Sequence, residues 1–230
     1  MASREPLISR HVQDPVAAGK VALEENRFEE AADLFRSALR RGARSAEEEA
    51  LIRCYLSEAL EQRGLHKEQL EAVAKYARFS EYARLSEPNQ MTLLIRLGWS
   101  YSFNNDIPHA IALFNQAMQI ARKLESHAGM GACYFGLGRA YRNLSEVRIA
   151  RDYYTSALEH YRIIGNWRQL AESYINLGYI AAFDGDYRSA LQSLKQALAM
   201  IGYRKEHSLL GRAYMYLAVT YDHLGSTSRA

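Results

Sequence analysis

Residues 97–101 read Leu97-Gly98-Trp99-Ser100-Tyr101, and forty residues on the chain reads Leu137-Gly138-Arg139-Ala140-Tyr141. Another forty gives Leu177-Gly178-Tyr179-Ile180-Ala181, and a last step gives Leu217-Ala218-Val219-Thr220-Tyr221. A second column keeps the same step at Ala110, Ala150, Ala190 and Ala230. The interval is 138 − 98 = 40 in the first column and 150 − 110 = 40 in the second, without drift. A fixed period of about 20–50 residues marks a stacked array of repeats, each burying its apolar face against the next.

The columns around the Leu-Gly pair have consistent chemistry. Tyr134, Tyr174 and Tyr214 precede it, with Leu94 in the same column, and Tyr101, Tyr141, Ala181 and Tyr221 follow it. Spacings of three, one and three put these side chains on one helical face. The small residue at its centre lets a second helix come close, although glycine costs about 1 kcal/mol of helix propensity. Turns are expected at Asn104-Asn105-Asp106, Asn143-Leu144-Ser145, Asp184-Gly185-Asp186 and His223-Leu224-Gly225, residues that end one helix in a left-handed conformation or cap the next. The second helix then shows Ile107, Val147 and Tyr187, the alanine column, Phe114, Tyr154 and Leu194, and finally Ala117, Ala157 and Ala197. Alanine, a large residue four on and alanine three further form one buried stripe.

Leu-Gly-x-x-Tyr101 with Ala110-x-x-x-Phe114, and Leu-Gly-x-x-Tyr141 with Ala150-x-x-x-Tyr154, resemble the tetratricopeptide repeat. Tyrosine stands in that family's tryptophan column, and its proline after the second helix is missing. Loss of this stop lets the helices lengthen from the usual unit of about 34 residues to the period seen here. Gly19, Ala22, Ala31, Phe35 and Ala38 make a first unit. A second, degenerate unit places Gln69 and Val73 where alanine and an aromatic belong. The resemblance implies an all-α fold, a right-handed superhelical solenoid of antiparallel helix pairs with about eleven helices. It predicts one domain of five and a half repeats, at 12–45, 46–85, 86–126, 127–165, 166–205 and a truncated 206–230. The sixth unit reaches Ala230, the first core position of a second helix. That bare end leads to the expectation of an N-terminal part of a longer protein, self-associating through the uncapped repeat, with Leu217 and Tyr221 facing water.

In such arrays the first helices line a concave surface that grips peptides. The arc opposite the packing face holds Arg96, Trp99, Ser102 and Phe103, then Phe135, Arg139, Arg142 and Asn143, then Ile175, Asn176, Tyr179 and Phe183, and finally Arg212, Tyr216, Asp222 and His223. From it the expected partner-binding groove is Arg96, Trp99, Phe103, Arg139, Arg142, Asn143, Asn176, Tyr179, Phe183 and Tyr216. Aromatic and arginine side chains of this kind dominate protein interfaces. The competing reading is that Trp99, Phe103, Tyr179 and Phe183 pack against neighbouring repeats. Some family members clamp a carboxylate with paired Lys and Asn, a set not reproduced where Trp99 and Tyr179 stand.

No other chemistry is legible. Cys54 and Cys133 lie far apart and read as buried thiols. The histidines show no HExxH spacing, and the Asp184-Gly185-Asp186 turn lacks a calcium loop, so neither metal nor cofactor is expected. Arg139, Arg142, Arg148 and Arg151 suggest an anion-binding stripe, but Glu146 and Asp152 flank the latter two and favour surface ion pairs. Net charge is +3, with 14 Lys+Arg against 15 Asp+Glu in residues 1–85 and 15 against 11 thereafter, a tilt that argues against nucleic acid. No apolar run has membrane-spanning length and the N-terminus is not signal-like, so a cytoplasmic protein is expected. The functional expectation is a non-catalytic protein- or peptide-binding scaffold in a regulatory protein. Its alternative is a phosphatase-like or peptide-receptor regulator acting on a signalling partner.

Overall fold

Chain reversal every twenty residues builds the architecture of the computed structural model, which describes residues 14–204 and 206–227. Left-handed backbone recurs at Asn105, Glu125, Ser145, Gly165 and Gly185, with φ of 64°, 50°, 63°, 65° and 80°. The residue after each of these stands at the start of the next helix, and all but Glu146 cap it with a side chain. Asp106, Ser126, Asn166 and Asp186 accept hydrogen bonds from the backbone N–H three residues on, which satisfies one of the donors left open by a helix start.

The helices are α1 (Pro15–Glu24), α2 (Phe28–Arg41), α3 (Ala46–Gln62), α4 (His66–Ala74), α5 (Phe79–Tyr82), α6 (Glu87–Phe103), α7 (Ile107–Lys123), α8 (His127–Asn143), α9 (Val147–Ile163), α10 (Trp167–Phe183), α11 (Tyr187–Ile201) and α12 (His207–Thr227). Every regular element among the described residues is a helix. They number twelve against the expected eleven, because the degenerate second repeat adds the one-turn α5 after α4. Two compact units divide at Asn104 and Asn105, inside the third sequence repeat, with α1–α6 in one and α7–α12 in the other.

In the first unit α3 packs on α2, α4 and α6. In the second, α8 packs on α7 and α9, and α10 on α9, α11 and α12. The expected stripes carry both cores. Ala31 and Phe35, Ala110, Phe114 and Ala117, Ala150, Tyr154 and Ala157, and Ala190, Leu194 and Ala197 are all completely buried. The glycine column explains how closely the pairs approach. A Cβ on Gly138 would lie 3.0 Å from the Tyr154 ring, and one on Gly178 would lie 2.6 Å from Leu194 Cγ. Helix α8 has a second contact of this kind on another face, where a Cβ on Gly136 would sit 2.4 Å from Phe114 Cζ of α7.

The end of the chain departs from expectation. No turn forms at His223-Leu224-Gly225, and α12 runs on through Thr227. A glycine ends a helix when the following segment folds back and buries its stripe; without that packing among the described residues, the intrahelical bonds continue. Leu217 is buried, against expectation, whereas Tyr221 is half in water as expected. Tyr214 is 59% exposed although its column is half-buried at Tyr134 and Tyr174. Ala230 and the first two residues of the 12–45 repeat lie outside the described residues. No helix among the described residues is long and apolar enough to cross a membrane.

Candidate binding surface

The candidates of the first unit lie on α6 and are joined to α3 and α4. Arg96 pairs with Glu58 at 2.8 Å and with Glu61 at 3.0 Å, both on α3. Burial works against the guanidinium charge, but the two carboxylates outweigh it and raise the Arg96 pKa above its ordinary value. The buried amide of Gln69 donates to Glu61 at 3.3 Å, so a polar side chain in an expected alanine position is satisfied within the unit. Phe103 lies flat on His66 of α4, with centroids 4.5 Å apart and 6° between the planes, and Trp99 stands 6.1 Å from Phe103. Asn104 anchors the helix end by donating to the carbonyls of His66 and Ser100, each at 2.8 Å. These three candidates therefore knit the unit while keeping part of their surface in water.

In the second unit the candidates from three helices converge. Arg142 Nη1 of α8 donates to Asn176 Oδ1 of α10 at 2.6 Å, and the Arg142 guanidinium stands 5.6 Å from the Tyr179 ring centroid. Tyr179 in turn lies 5.0 Å from the ring of Tyr216 on α12 and 6.5 Å from Phe183. Next to them, Arg212 of α12 donates to Glu172 of α10 at 2.7 Å. Phe183 is 69% exposed, Tyr179, Tyr216, Arg139 and Arg142 are half-buried, and Asn143 is exposed at the end of α8.

The expected arc is wider than the open one. Asn176 is 5% exposed, and its Nδ2 donates to the Glu172 carbonyl at 2.9 Å, so it orients Arg142 from within the wall. Phe135 and Ile175, placed on the same arc, are also buried. A first helix packs on both the second helix before it and the one after it, which leaves a narrower strip open than a single packed face would.

Two arrangements had no sequence signal. The Tyr154 hydroxyl, in a column otherwise filled by Phe114 and Leu194, is buried with no hydrogen-bond partner in the protein, as is Arg212 Nε. Burial pushes the phenol up to about 12, against the pull of Arg142, Arg139 and Arg212. At the far end of the α8–α9 hairpin, His127 and His160 face each other with their Nδ1 atoms 2.8 Å apart, and Tyr134 stacks on His160 at 5.5 Å. Burial, and then the nearby His127, lower the His160 pKa. Cys54 and Cys133 are free, buried thiols, each pushed up to about 12 by burial. No group of three His, Cys, Asp or Glu among the described residues could hold a metal ion.

One tetratricopeptide repeat profile matches residues 90–163 and 130–201, and another matches residues 16–84. No curated protein matches the sequence. Among solved structures, the chain is similar to a Rap protein complexed with competence and sporulation factor, at 15% identity and a TM-score of 0.76 over 92% of this chain and 63% of that one. It is similar to aspartyl phosphate phosphatase F from Bacillus subtilis, at 15% identity and a TM-score of 0.67, covering 93% of this chain and 59% of that one. It also resembles a thermophilic TPR protein of Thermus thermophilus, at 18% identity and a TM-score of 0.64 over 90% and 98% of the two chains. The chain thus spans less than two thirds of the Rap protein and of the phosphatase.

Proposed function

The chain belongs to the tetratricopeptide repeat family, and we propose that it is a non-catalytic scaffold that binds a peptide or protein segment along its first helices. The convergence of Arg142, Tyr179, Tyr216 and Phe183 from α8, α10 and α12 supports this reading. Arginine and tyrosine held rigidly by neighbours lose little entropy on binding and offer both charge and apolar area. The scaffold acts as the N-terminal interaction or sensory part of a larger regulatory protein in the cytoplasm. Coverage of only 63% of the Rap protein supports the part of this reading that makes the chain a portion of something larger. The partner is protein, not nucleic acid or membrane. Self-association is a further part of the proposal, through the α12 face on which Tyr214, Met215, Val219 and Tyr221 are about half exposed.

A second reading, a peptide-receptor or phosphatase-like regulator, takes its support from the fold shared with the Rap protein and with phosphatase F. Screening the purified chain against a peptide library, followed by titration of the hits, tests both. Saturable binding that weakens about tenfold or more in Arg142→Ala and in Tyr179→Ala is expected. Hits whose affinity ignores both substitutions would refute the surface. Release of phosphate from an aspartyl-phosphate protein would move the choice to the second reading.

A further inference from the structure

We propose that the second unit contains an anion-binding subsite, floored by the Tyr154 hydroxyl and walled by Arg142 and Arg212, which takes the carboxylate or phosphate group of an acidic peptide. The inference deepens the peptide reading by naming the charge of the ligand, and rests on that reading only for the ligand being a peptide.

Two buried donors of the second unit lack an acceptor. The Tyr154 side chain is completely buried, yet its hydroxyl reaches no protein partner. Arg212 Nε is likewise buried without one, although the same guanidinium donates through Nη2 to Glu172 at 2.7 Å. The phenol is held protonated by burial, so at neutral pH it is a donor in need of an oxygen. The charge around it fits the same demand. Of the four charged groups that act on the phenol, Arg142, Arg139 and Arg212 are positive and only Glu172 is negative. A buried polar group without a partner is costly, and a cluster of cations and donors is satisfied by a group that supplies lone pairs and negative charge.

Access follows from Arg142, the cation that acts on the phenol most strongly. Its side chain is half-buried, held by a hydrogen bond to the neutral amide of Asn176 and by the face of the Tyr179 ring. An arriving anion offers Arg142 a negatively charged acceptor in place of the neutral Asn176 amide, and the subsite requires this long side chain to move with the ligand for the hydroxyl to be reached. The flanking arginines of α9 are differently placed. Arg151 pairs with Asp184, and Arg148 is exposed, so neither belongs to the cluster.

Inorganic phosphate is the first probe, titrated into the whole chain by calorimetry at constant ionic strength, with chloride as control. Saturable binding is expected, weakened at least about fivefold in Tyr154→Phe and in Arg142→Gln and unchanged in Arg148→Gln. Tyr154→Phe keeps the ring beside Gly138 and removes the unpartnered hydroxyl, so its melting temperature without phosphate should be at or above the parent's, which separates a lost ligand contact from a lost fold. No saturable binding, or equal binding by Tyr154→Phe, overturns the subsite; the latter marks an adventitious ion only. Hexaglutamate and a phosphoserine peptide of otherwise neutral residues then distinguish carboxylate from phosphate. Phosphate binding that depends on Tyr154, with no response to any peptide, leaves the subsite standing and removes the peptide reading. Peptide binding indifferent to Tyr154→Phe does the reverse.

Discussion

The same substitution, glycine to alanine, should change the stability of this protein in opposite directions at two helical positions. At Gly211, in α12, an added Cβ meets nothing within 4 Å. Only the backbone effect remains, and Gly211→Ala should stabilise by about 1 kcal/mol, the propensity difference between the two residues in a helix. At Gly136 the gain is the same, but the new carbon would sit 2.4 Å from Phe114 Cζ, 2.5 Å from Cε1 and 2.8 Å from Cδ1. Phe114 is completely buried and its ring is rigid, so it has no room to retreat. Overpacking of a full core costs about 1–3 kcal/mol, which leaves Gly136→Ala less stable than the parent by up to about 2 kcal/mol after the propensity gain, and less stable than Gly211→Ala throughout that range. Gly138→Ala falls between, since its nearest atoms in the Tyr154 ring are 3.0–3.1 Å away. Urea denaturation followed by circular dichroism gives the three midpoints on one scale, and unchanged slopes show that the folded and unfolded states stay comparable. Gly136→Ala equal to or more stable than Gly211→Ala would refute the reasoning, because it would mean that α7 and α8 do not meet at that glycine.

Further outcomes follow from single interactions. Burial and His127 depress the His160 pKa, so the unfolded chain takes up a proton below about pH 6.5 that the folded chain resists; stability is full above that pH and declines as pH falls through it. Melting temperatures between pH 7.5 and 5.5 should show that loss, and His160→Gln should reduce it. Glu47 of α3 caps the start of α6 by accepting from the Ser86 backbone N–H at 2.5 Å, the Ser86 hydroxyl at 3.2 Å and the Asn89 amide. Glu47→Ala should therefore cost about 1–2 kcal/mol at neutral pH. The Asn89 contact first, then the bonds from Ser86, lower this carboxyl's pKa against desolvation, so that stability is present above about pH 4.5 and fades on acidification below it. Ser145→Gly and Glu125→Gly, at φ of 63° and 50°, should each gain about 1 kcal/mol in chemical denaturation by relieving left-handed backbone.

The repeat was legible because it is written in residues whose role depends on size alone. Ala110, Ala150 and Ala190 are completely buried at helix crossings, and Gly138 and Gly178 face the large side chains four residues after those alanines in their own hairpins. The turns at Asn105, Ser145 and Gly185 were equally readable, since left-handed backbone selects a short list of residues. The open surface was harder to read. Helical periodicity gives the angle of a side chain about its own axis, but not how many neighbours surround that axis, which is why Phe135, Ile175 and Asn176 are walls and not lining. The turn expected at Gly225 failed for a related reason: local residues permit a reversal, whereas packing of the following helix makes it favourable. A tyrosine hydroxyl without a partner is invisible in any column that accepts phenylalanine or leucine, and Tyr154 is such a case.

The evenly spaced joints make the second unit editable, in whole quanta only. Helices α7, α8, α9 and α10 are each seventeen residues long and are separated by three-residue links of like geometry. Excising residues 126–165 splices Glu125 to Asn166, and the new joint keeps a left-handed residue followed by a capping side chain. Within the second unit Gly178 then takes the place of Gly138, so the column keeps its step of forty residues. A cut of half that length would preserve an equally good joint, yet set a helix carrying the alanine stripe where its neighbours need the glycine. The links can be spliced in steps of twenty and the packing in steps of forty, so insertions and losses that survive in such a chain come as hairpins and not as single helices.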